Sequence, residues 1–255
     1  MLNSKPNLNL PNDDVDLIDC PICGNREFEY LFIKRGEHFV RCLQCTLMLI
    51  NPPPDVTVSN STYDQHYSQA YINKAGKKLK RCAGWVARMQ RRFDGRGKWL
   101  DVGCSAGFLV KAATDAGFDA YGVELEPAAV TFARDTLGLE KVSRGLLEEQ
   151  GYPSEGFDVV TLYDVIEHVP DLNRLMAEMH RILAPEGIIE IRTPNVSHWR
   201  TPRDLSRWKE VKPSEHLYYF NQQTLRLLFE KHGFRTRFQR KMFKPALDVY
   251  FSKTP

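Results

Sequence analysis

The 255-residue sequence lacks any apolar run approaching the roughly 20 residues with which a helix crosses a bilayer. Its first residues also lack the apolar core of a signal peptide and form a polar lead. A membrane-spanning chain and an exported precursor are therefore not expected, and the sequence predicts a cytoplasmic protein. With 42% hydrophobic and 26% charged residues, the composition is that of an ordinary globular chain.

Acidic residues are scarce in one segment, residues 70–98. Ten Lys or Arg stand there against a single acid, Asp94, which gives a local charge of +9 in a chain of net charge +3. Two interpretations are open. The segment is a solvated helix face, or it attracts phosphate, nucleic acid or an anionic membrane surface.

Cysteines are few, but four of the six form two C-x-x-C pairs, Cys20–Cys23 and Cys42–Cys45, with eighteen residues between them. This doubled spacing is typical of a tetrahedral zinc site with four thiolate ligands. Disulfides are disfavoured in a reducing cytosol. Because four cysteines leave no open coordination position, the predicted zinc has a structural or recognition role and not a chemical one.

The sequence divides into four predicted parts. Residues 1–17 form a flexible lead, and residues 18–50 form a zinc ribbon whose β-forming residues favour a hairpin. Residues 51–69 begin with Asn-Pro-Pro-Pro and form a stiff linker. Residues 70–255 form the main domain.

Strand and helix patterns alternate along the main domain. Strands are predicted at 98–102, 120–124, 141–143, 157–162, 187–192 and 234–240, and helices at 74–93, 108–116, 127–137, 172–183 and 222–232. This alternation predicts an α/β fold with a parallel sheet and helices on both faces. Ligands in such folds bind beyond the carboxyl ends of the strands.

The first strand–helix junction, Trp99–Phe108, reads W-L-D-V-G-C-S-A-G-F. A short apolar run ends at Asp101, Gly103 and Gly107 follow, and a helical pattern begins at once. A glycine-rich turn before a helix N-terminus predicts a nucleotide-type binding loop. The G-x-G-x-x-G spacing of dinucleotide-binding loops is missing, which disfavours a nicotinamide cofactor.

Several motifs, taken in order, resemble the class I S-adenosylmethionine-dependent methyltransferases. They are Asp101, Gly103, Gly107, Glu124, F-D-V-V (157–160), L-Y-D-V-I-E-H-V (162–169), L-A-P-E-G (183–187), T-P-N (193–195) and E-H-L-Y-Y-F-N-Q-Q-T-L (215–225). The resemblance covers roughly residues 70–240 and implies a Rossmann-like seven-stranded methyltransferase sheet with S-adenosyl-L-methionine as cofactor. The ribbon and proline linker resemble a subgroup associated with sugar, polysaccharide and secondary-metabolite methylation.

The resemblance also implies a set of cofactor-binding residues. They are Asp101, Gly103, Cys104, Ser105, Gly107, Glu124, Leu125, Leu146 and Tyr163. The glycine loop then admits the methionine part, Asp101 holds its amino group, and Glu124 accepts hydrogen bonds from the ribose hydroxyls. Leu125 and Leu146 border the adenine, and Tyr163 lies near the transferable methyl group. Cys104 occupies a position where packing requires a small residue, and it is not proposed as a nucleophile.

The candidate catalytic residues are Glu167, His168 and His216. Methyl transfer needs an in-line nucleophile whose proton is removed, and either histidine is a candidate base. The motif also resembles the divalent-metal site of small-RNA 3′-end 2′-O-methyltransferases, and in part polyprenyl-catechol O-methyltransferases. There the ligands would be Asp164, Glu167, His168 and His216, with Asp164 where those families have Glu. A metal, a metal-free base and a purely structural cluster are all left open.

Two classes of enzyme function follow, with a non-enzymatic binding module as a distant third. The first is O-methylation of a small-molecule, sugar or glycan hydroxyl, with a phosphate-bearing acceptor suited to the basic segment. The second is RNA 2′-O-methylation, against which the balanced charge of the ribbon argues. Aromatic residues at Trp199, Trp208 and 218–220 are interpreted equally well as acceptor-stacking or as core. The sequence predicts neither the acceptor nor the oligomeric state.

Overall fold

The structure, a computed structural model, describes residues 17–54, 75–93 and 97–255. The polar lead before residue 17, most of the predicted linker and the start of the main domain at 70–74 lie outside these residues. The helices are α1 (Ala75–Phe93), α2 (Phe108–Asp115), α3 (Pro127–Thr131), α4 (Leu172–Ile182) and α5 (Gln222–Lys231). No helix within the described ranges is long and apolar enough to cross a membrane.

The strands form two sheets. They are β1 (Phe28–Lys34), β2 (Glu37–Cys42), β3 (Met48–Ile50), β4 (Lys98–Val102), β5 (Asp119–Glu124), β6 (Val142–Arg144), β7 (Phe157–Tyr163), β8 (Leu183–Pro194), β9 (Tyr218–Tyr219), β10 (Phe234–Gln239) and β11 (Ala246–Lys253). The larger sheet has the order β10-β11-β8-β7-β4-β5-β6. Only β11 runs antiparallel to its neighbours in this sheet. The predicted α/β fold with seven strands is confirmed.

The two faces of this sheet have separate apolar cores, as the period-two alternation of buried strands requires. In β4, Trp99 packs with residues of α1 and α2 on one face. Its neighbour Leu100 packs with residues of α4 and α5 on the other face. The carboxyl ends of β4, β5, β7 and β8 consequently meet at one edge, which is where a ligand of this fold binds.

The smaller sheet joins the amino-terminal ribbon to a distant segment. Its order is β1-β2-β3-β9, and β9 lies about 170 residues after β3. A third apolar core forms between the two parts, with Phe39, Met48, Trp208 and Tyr219 among its members. The ribbon therefore packs onto the main domain through a shared sheet and a shared core.

Several local features differ from the sequence prediction. The helix predicted at 127–137 begins as α3, with Pro127 in its first turn, and then widens into a π-helical turn at Phe132–Thr136. Strand β11 is absent from the prediction, because its central run contains Asp248 and Ser252 and lacks a turn signal of its own. Asp248 is nevertheless fully buried, and its Oδ2 accepts hydrogen bonds from Arg192 of β8 and from Arg240, which follows β10.

Candidate active site

The loop between β4 and α2 has a backbone that requires glycine at two positions. Gly103 has φ +69°, and a Cβ there would overlap the side chain of Val165. Gly107 has φ +77°, and a Cβ there would lie 2.6 Å from Leu139 Cδ1. Both φ values disfavour residues with a side chain. The glycines are therefore needed for the loop's own packing, in addition to any clearance that they give a ligand.

Asp101 lies at the end of β4 and is buried. Its Oδ1 accepts a 2.6 Å hydrogen bond from the Thr161 hydroxyl, which itself accepts a 3.0 Å hydrogen bond from the indole N–H of Trp99. Burial raises the pKa of Asp101 to about 7, against the opposing effect of Thr161. A cation placed beside this carboxyl would favour its ionised form. The residue thus fits a ligand that carries an ammonium group.

Glu124, at the end of β5, holds the loop by its carboxylate. Oε2 accepts a hydrogen bond from the backbone N–H of Ser105 at 2.7 Å. Oε1 accepts from the backbone N–H groups of Leu125 and Glu126 at 2.7 and 3.0 Å. A carboxylate has about four acceptor sites, so these amides use most of them. A ribose at this position would share the carboxylate with the loop.

The other predicted cofactor residues lie in different environments. The Cys104 side chain is buried against Gly122, so only its backbone is available to a ligand. Leu125 and Leu146 are 55% and 38% exposed, so both side chains are accessible to a ligand. The Tyr163 ring packs edge-on against Trp85 of α1 at 5.1 Å. Its hydroxyl is buried without a hydrogen-bond partner among the described residues.

Glu167, His168 and His216 come together although His216 follows His168 by 48 positions in the sequence. One ligand atom from each of the three lies within 4.8 Å of the others. The two imidazole rings meet edge to face at 4.5 Å. The predicted cluster is thus assembled by the fold, whereas the exposed Asp164 is not part of this three-residue group.

The hydrogen bonds of this cluster show which of its imidazole and carboxylate atoms are engaged. His168 Nδ1 lies 2.8 Å from the Glu215 carbonyl oxygen. A carbonyl only accepts, so Nδ1 carries the proton and the Nε2 lone pair is free. Glu167 Oε2 accepts a 3.0 Å hydrogen bond from the Thr193 hydroxyl, a partner that the sequence prediction missed. Glu167 Oε1 and His216 Nδ1 are buried with no partner in the described part of the chain.

Burial dominates the protonation of the same three groups. It raises the pKa of Glu167 to about 8, with a further contribution from nearby Asp164. It lowers the pKa of His168, and it lowers that of His216 to about 3 with the help of His168. Near neutral pH the two imidazoles are therefore uncharged. A neutral imidazole is the form that accepts a proton or binds a metal.

A buried charge network beside Tyr163 is absent from the sequence prediction. The Arg192 guanidinium donates to Glu190 at 2.7 Å and to Asp248 at 3.2 Å. It lies between the rings of Trp85 and Tyr163, 4.2 Å from each centroid. The polar residues of I-E-I-R-T in β8 alternate with apolar ones, which is the sequence signal for such a face. Arg192 is thus engaged internally by both carboxylates.

The other predicted acceptor-binding residues separate into core and surface. Trp208 and residues 218–220 are buried. Trp199 is 74% exposed and packs against the exposed Phe243, with the Arg200 guanidinium 4.3 Å from the Phe243 ring. Of these predicted aromatic residues, Trp199 alone presents its ring to solvent. A separate cavity of about 680 Å³ opens at the opposite end of the sheet, lined by Arg91, Arg237 and Lys253 among others, and contains no predicted site residue.

Several arginines of the basic segment also bind or stack on other side chains of the molecule. Arg88 of α1 donates to buried Glu190 at 3.3 Å. Arg81 and Arg92 stack over the rings of Trp85 and Phe238. The charge of α1 therefore serves the packing of the helix on the sheet as well as its surface.

The four cysteines Cys20, Cys23, Cys42 and Cys45 form the other cluster of potential metal ligands. Their sulfurs pair at 3.5 Å, Cys20 with Cys45 and Cys23 with Cys42. A tetrahedral zinc with Zn–S bonds of about 2.3 Å brings its sulfurs to a comparable separation. After each C-x-x-C pair the backbone has a positive φ, at Gly24 and Thr46. The two turns thus have the same form and direct four thiols to one point.

Comparisons with known proteins agree with this architecture. A family model described as a methyltransferase domain matches residues 71–237. A ubiquinone biosynthesis O-methyltransferase of Rhodopseudomonas palustris (strain TIE-1) is 28% identical over 177 residues, which cover 60% of this chain and 68% of that protein. A protein of the same name from strain BisB18 is 34% identical over 140 residues, covering 46% and 54%.

Solved structures give the same fold. An S-adenosylmethionine-dependent methyltransferase from Mesorhizobium loti has a TM-score of 0.55 at 18% identity and covers 68% of this chain and 99% of its own. A Pyrococcus horikoshii OT3 protein has a TM-score of 0.55 at 19% identity and covers 76% and 94%. Since the family model spans well over half of the sequence, the chain belongs to the methyltransferase-domain family and is an S-adenosylmethionine-dependent methyltransferase.

Proposed function

We propose that the enzyme O-methylates a small-molecule, sugar or glycan hydroxyl, with His168 as the base. The observation that carries the proposal is the hydrogen bond from His168 Nδ1 to the Glu215 carbonyl, which leaves Nε2 able to accept the hydroxyl proton. His216 and Glu167 pack against this imidazole and hold it. The relatives named ubiquinone biosynthesis O-methyltransferase support a hydroxyl acceptor.

The cofactor has a corresponding place at the carboxyl ends of β4 and β5. Asp101 would hold the amino group and Glu124 the ribose hydroxyls, while the backbone at 103–107 would contact the methionine part. Leu125 and Leu146 would enclose the adenine. The bound cofactor supplies an electrophilic methyl group, and the protein's part is to align a hydroxyl with it and remove the proton.

The test measures transfer of a radiolabelled methyl group from the cofactor. The enzyme is first incubated with fractions of a cell extract, and the components of the fraction that takes up label are then tested separately. We expect label in small-molecule or glycan fractions. His168→Gln should lower kcat by about 10²–10⁴-fold, the usual contribution of a general base, with cofactor affinity unchanged. His180→Gln is the matched control, because His180 lies on α4 and packs against Phe234 away from the cluster. Full activity of His168→Gln would contradict the base.

RNA 2′-O-methylation with a divalent metal is the second candidate. The observation that favours it is the cluster of Glu167, His168 and His216, in which Glu167 Oε1 and His216 Nδ1 are buried without a partner among the described residues. Oxygen and imidazole ligands fit a divalent cation, which would lower the pKa of a bound hydroxyl. This candidate predicts ribonuclease-sensitive label, loss of activity in EDTA and a steep salt dependence of RNA binding. Activity unaffected by EDTA would exclude the metal.

The ribbon is proposed to hold one structural zinc through Cys20, Cys23, Cys42 and Cys45. Their clustering and the paired turns support this. Elemental analysis should find one zinc per chain, which is lost in Cys42→Ser and kept in Cys82→Ser, since Cys82 lies in α1 outside the cluster. A zinc-free protein of unchanged stability would contradict the assignment.

A further inference from the structure

The ribbon and the candidate active site share one β-ladder. Strand β3 pairs with β9, with Met48 opposite Tyr219 and Leu49 opposite Tyr218. The Ile50 backbone N–H donates to the Leu217 carbonyl at 3.0 Å, which extends the ladder by one bond. Strand β3 begins three residues after Cys45, so the cysteine cluster fixes the start of this strand.

Leu217 links this ladder to the catalytic cluster. While its carbonyl accepts from Ile50, its own N–H donates to the Glu167 carbonyl at 2.8 Å. His216 is the residue immediately before it, and only 2% of His216 is exposed. One residue next to His216 therefore bonds to the ribbon on one side and to the cluster on the other.

The chain on the other side of His216 is also held by ribbon residues. Lys34 Nζ donates to the Val211 carbonyl at 2.9 Å. Glu37 Oε2 accepts from the Ser214 N–H at 2.8 Å, and the Ser214 hydroxyl donates to the same carboxylate. Tyr219 then packs against Phe39 at 5.8 Å. His216 thus lies between two sets of contacts to the ribbon.

We propose that the ribbon is the element that positions His216, so that metal binding at the four cysteines maintains the geometry of an active site outside the ribbon. A unit of some thirty residues has too small a core to keep its strands in register alone, and a structural metal supplies the missing folding free energy. The part that His216 plays in methyl transfer rests on the proposed function. Its placement by the ribbon does not.

Hydrogen–deuterium exchange on the full-length protein tests the placement without any methyl acceptor. After zinc is removed by a chelator, we expect amide exchange in residues 211–220 to rise at least tenfold. Exchange in β4 and β5, which belong to the larger sheet, should rise by a smaller factor than exchange in residues 211–220. Loss of protection in β1–β3 with residues 211–220 unchanged would overturn the proposal.

A matched pair of metal-retaining variants tests the same link if the metal-free protein unfolds. Glu37→Ala removes the contact with Ser214, whereas Glu29→Ala removes only an ion pair with Arg41 inside the ribbon. Both should keep one zinc. We expect faster exchange at 211–216 and a shifted His216 ring NMR signal in Glu37→Ala alone. Identical behaviour of the two variants would count against the proposal.

The experiments distinguish a failure of the proposed placement of His216 from a failure of its proposed function. If His216→Ala keeps full methyl transfer while the exchange results hold, the proposed function of His216 is wrong and its placement by the ribbon stands. If His216→Ala is inactive while residues 211–220 keep their protection in zinc-free protein, the placement is wrong and the function stands.

Discussion

Glu124 holds the loop with both oxygens of its carboxylate. Its two oxygens accept three backbone hydrogen bonds from the loop and from the start of α3. Hydrogen bonds to a charged acceptor contribute about 1.5–3 kcal/mol each. The carboxylate is therefore a structural anchor of the loop before any ribose approaches it. Changes at this residue should alter cofactor affinity by both routes.

We predict that Glu124→Ala weakens S-adenosylmethionine binding by at least about 100-fold, because ribose contacts and loop order are lost together. Isothermal titration calorimetry measures the affinity. Glu126→Gln is the control, since Glu126 makes only a 3.4 Å capping hydrogen bond to Ala128. Equal affinities of Glu124→Ala and the unaltered protein would remove Glu124 from the cofactor site.

A pH dependence of cofactor binding follows from Asp101. Its pKa of about 7 means that the carboxyl is protonated below that pH in the free protein. The cofactor is cationic and favours ionised Asp101, so affinity should rise with pH by up to tenfold per unit between about 5 and 7 and then level off. Asp101→Asn should bind more weakly and without this slope. Asp119→Asn, at the far end of β5, should keep the slope, and a slope retained in Asp101→Asn would assign it to another group.

At the residue scale, an acid at the end of a strand can be recognised from the sequence alone. A carboxylate that directly follows an apolar run stands out, and it has few other roles there. Asp101 and Glu124 follow this rule. The partners Thr161 and Thr193 were missed because threonine is common in strands and their relevance depends on a neighbouring strand. The proximity of His168 and His216 came from resemblance, since no local pattern links residues so far apart.

At the scale of elements, β8 and β11 share a buried charge network. Glu190 and Asp248 are fully buried, and Arg192 lies between them. Burial raises the pKa of Asp248, while the nearby Arg192 opposes this shift. The network replaces apolar packing under α1, so its net contribution to stability is small, but removal of one partner is costly. It also fixes the face of Tyr163 that points to α1.

We predict that Arg192→Met lowers the free energy of unfolding by about 3–5 kcal/mol, because two carboxylates then stay buried without their main cation. Arg203→Met, at an exposed position, should change it by less than about 0.5 kcal/mol. Urea unfolding followed by circular dichroism measures both. A small effect of Arg192→Met would show that Arg88 and Arg240 compensate for its loss.

Elements with a long periodic pattern were predictable, and those defined by distant pairing were not. Strands β4, β5 and β7 are apolar runs and lie within one residue of their predicted bounds, whereas β8 (Leu183–Pro194) extends beyond the predicted 187–192 at both ends. Strand β9 has two residues, too few for a period, and exists because Tyr218 and Tyr219 pair with β3. Strand β11 was missed because burial of Asp248 depends on Arg192 of β8 and on Arg240, which follows β10. Long-range pairing therefore accounts for most of what the sequence left out.

The molecule as a whole combines two sheets that have no strand in common but are linked through residues 208–220. The ribbon contributes three strands to the smaller sheet, and the main domain contributes β9. Cys20, Phe28 and Cys42 belong to the same apolar cluster as residues of α4 and α5. The described chain should therefore unfold as one cooperative unit rather than as a ribbon followed by a main domain.

This cooperativity leads to a prediction about metal removal. A zinc ion held by the four cysteines, as proposed, would bind only the folded ribbon, so its loss should lower the stability of the whole unit. We expect a single calorimetric transition that moves down by at least about 5 °C in a strong chelator. Cys82→Ser should show the same chelator-induced shift from its own starting temperature, since its sulfur is outside the cluster. Cys20→Ser should begin at the lower temperature and respond little to chelator. The reason for one transition is that the shared sheet and the shared core cannot unfold in part without exposing both the ribbon and the main domain. Two separate transitions, with only the first sensitive to chelator, would contradict this and show that the ribbon folds independently.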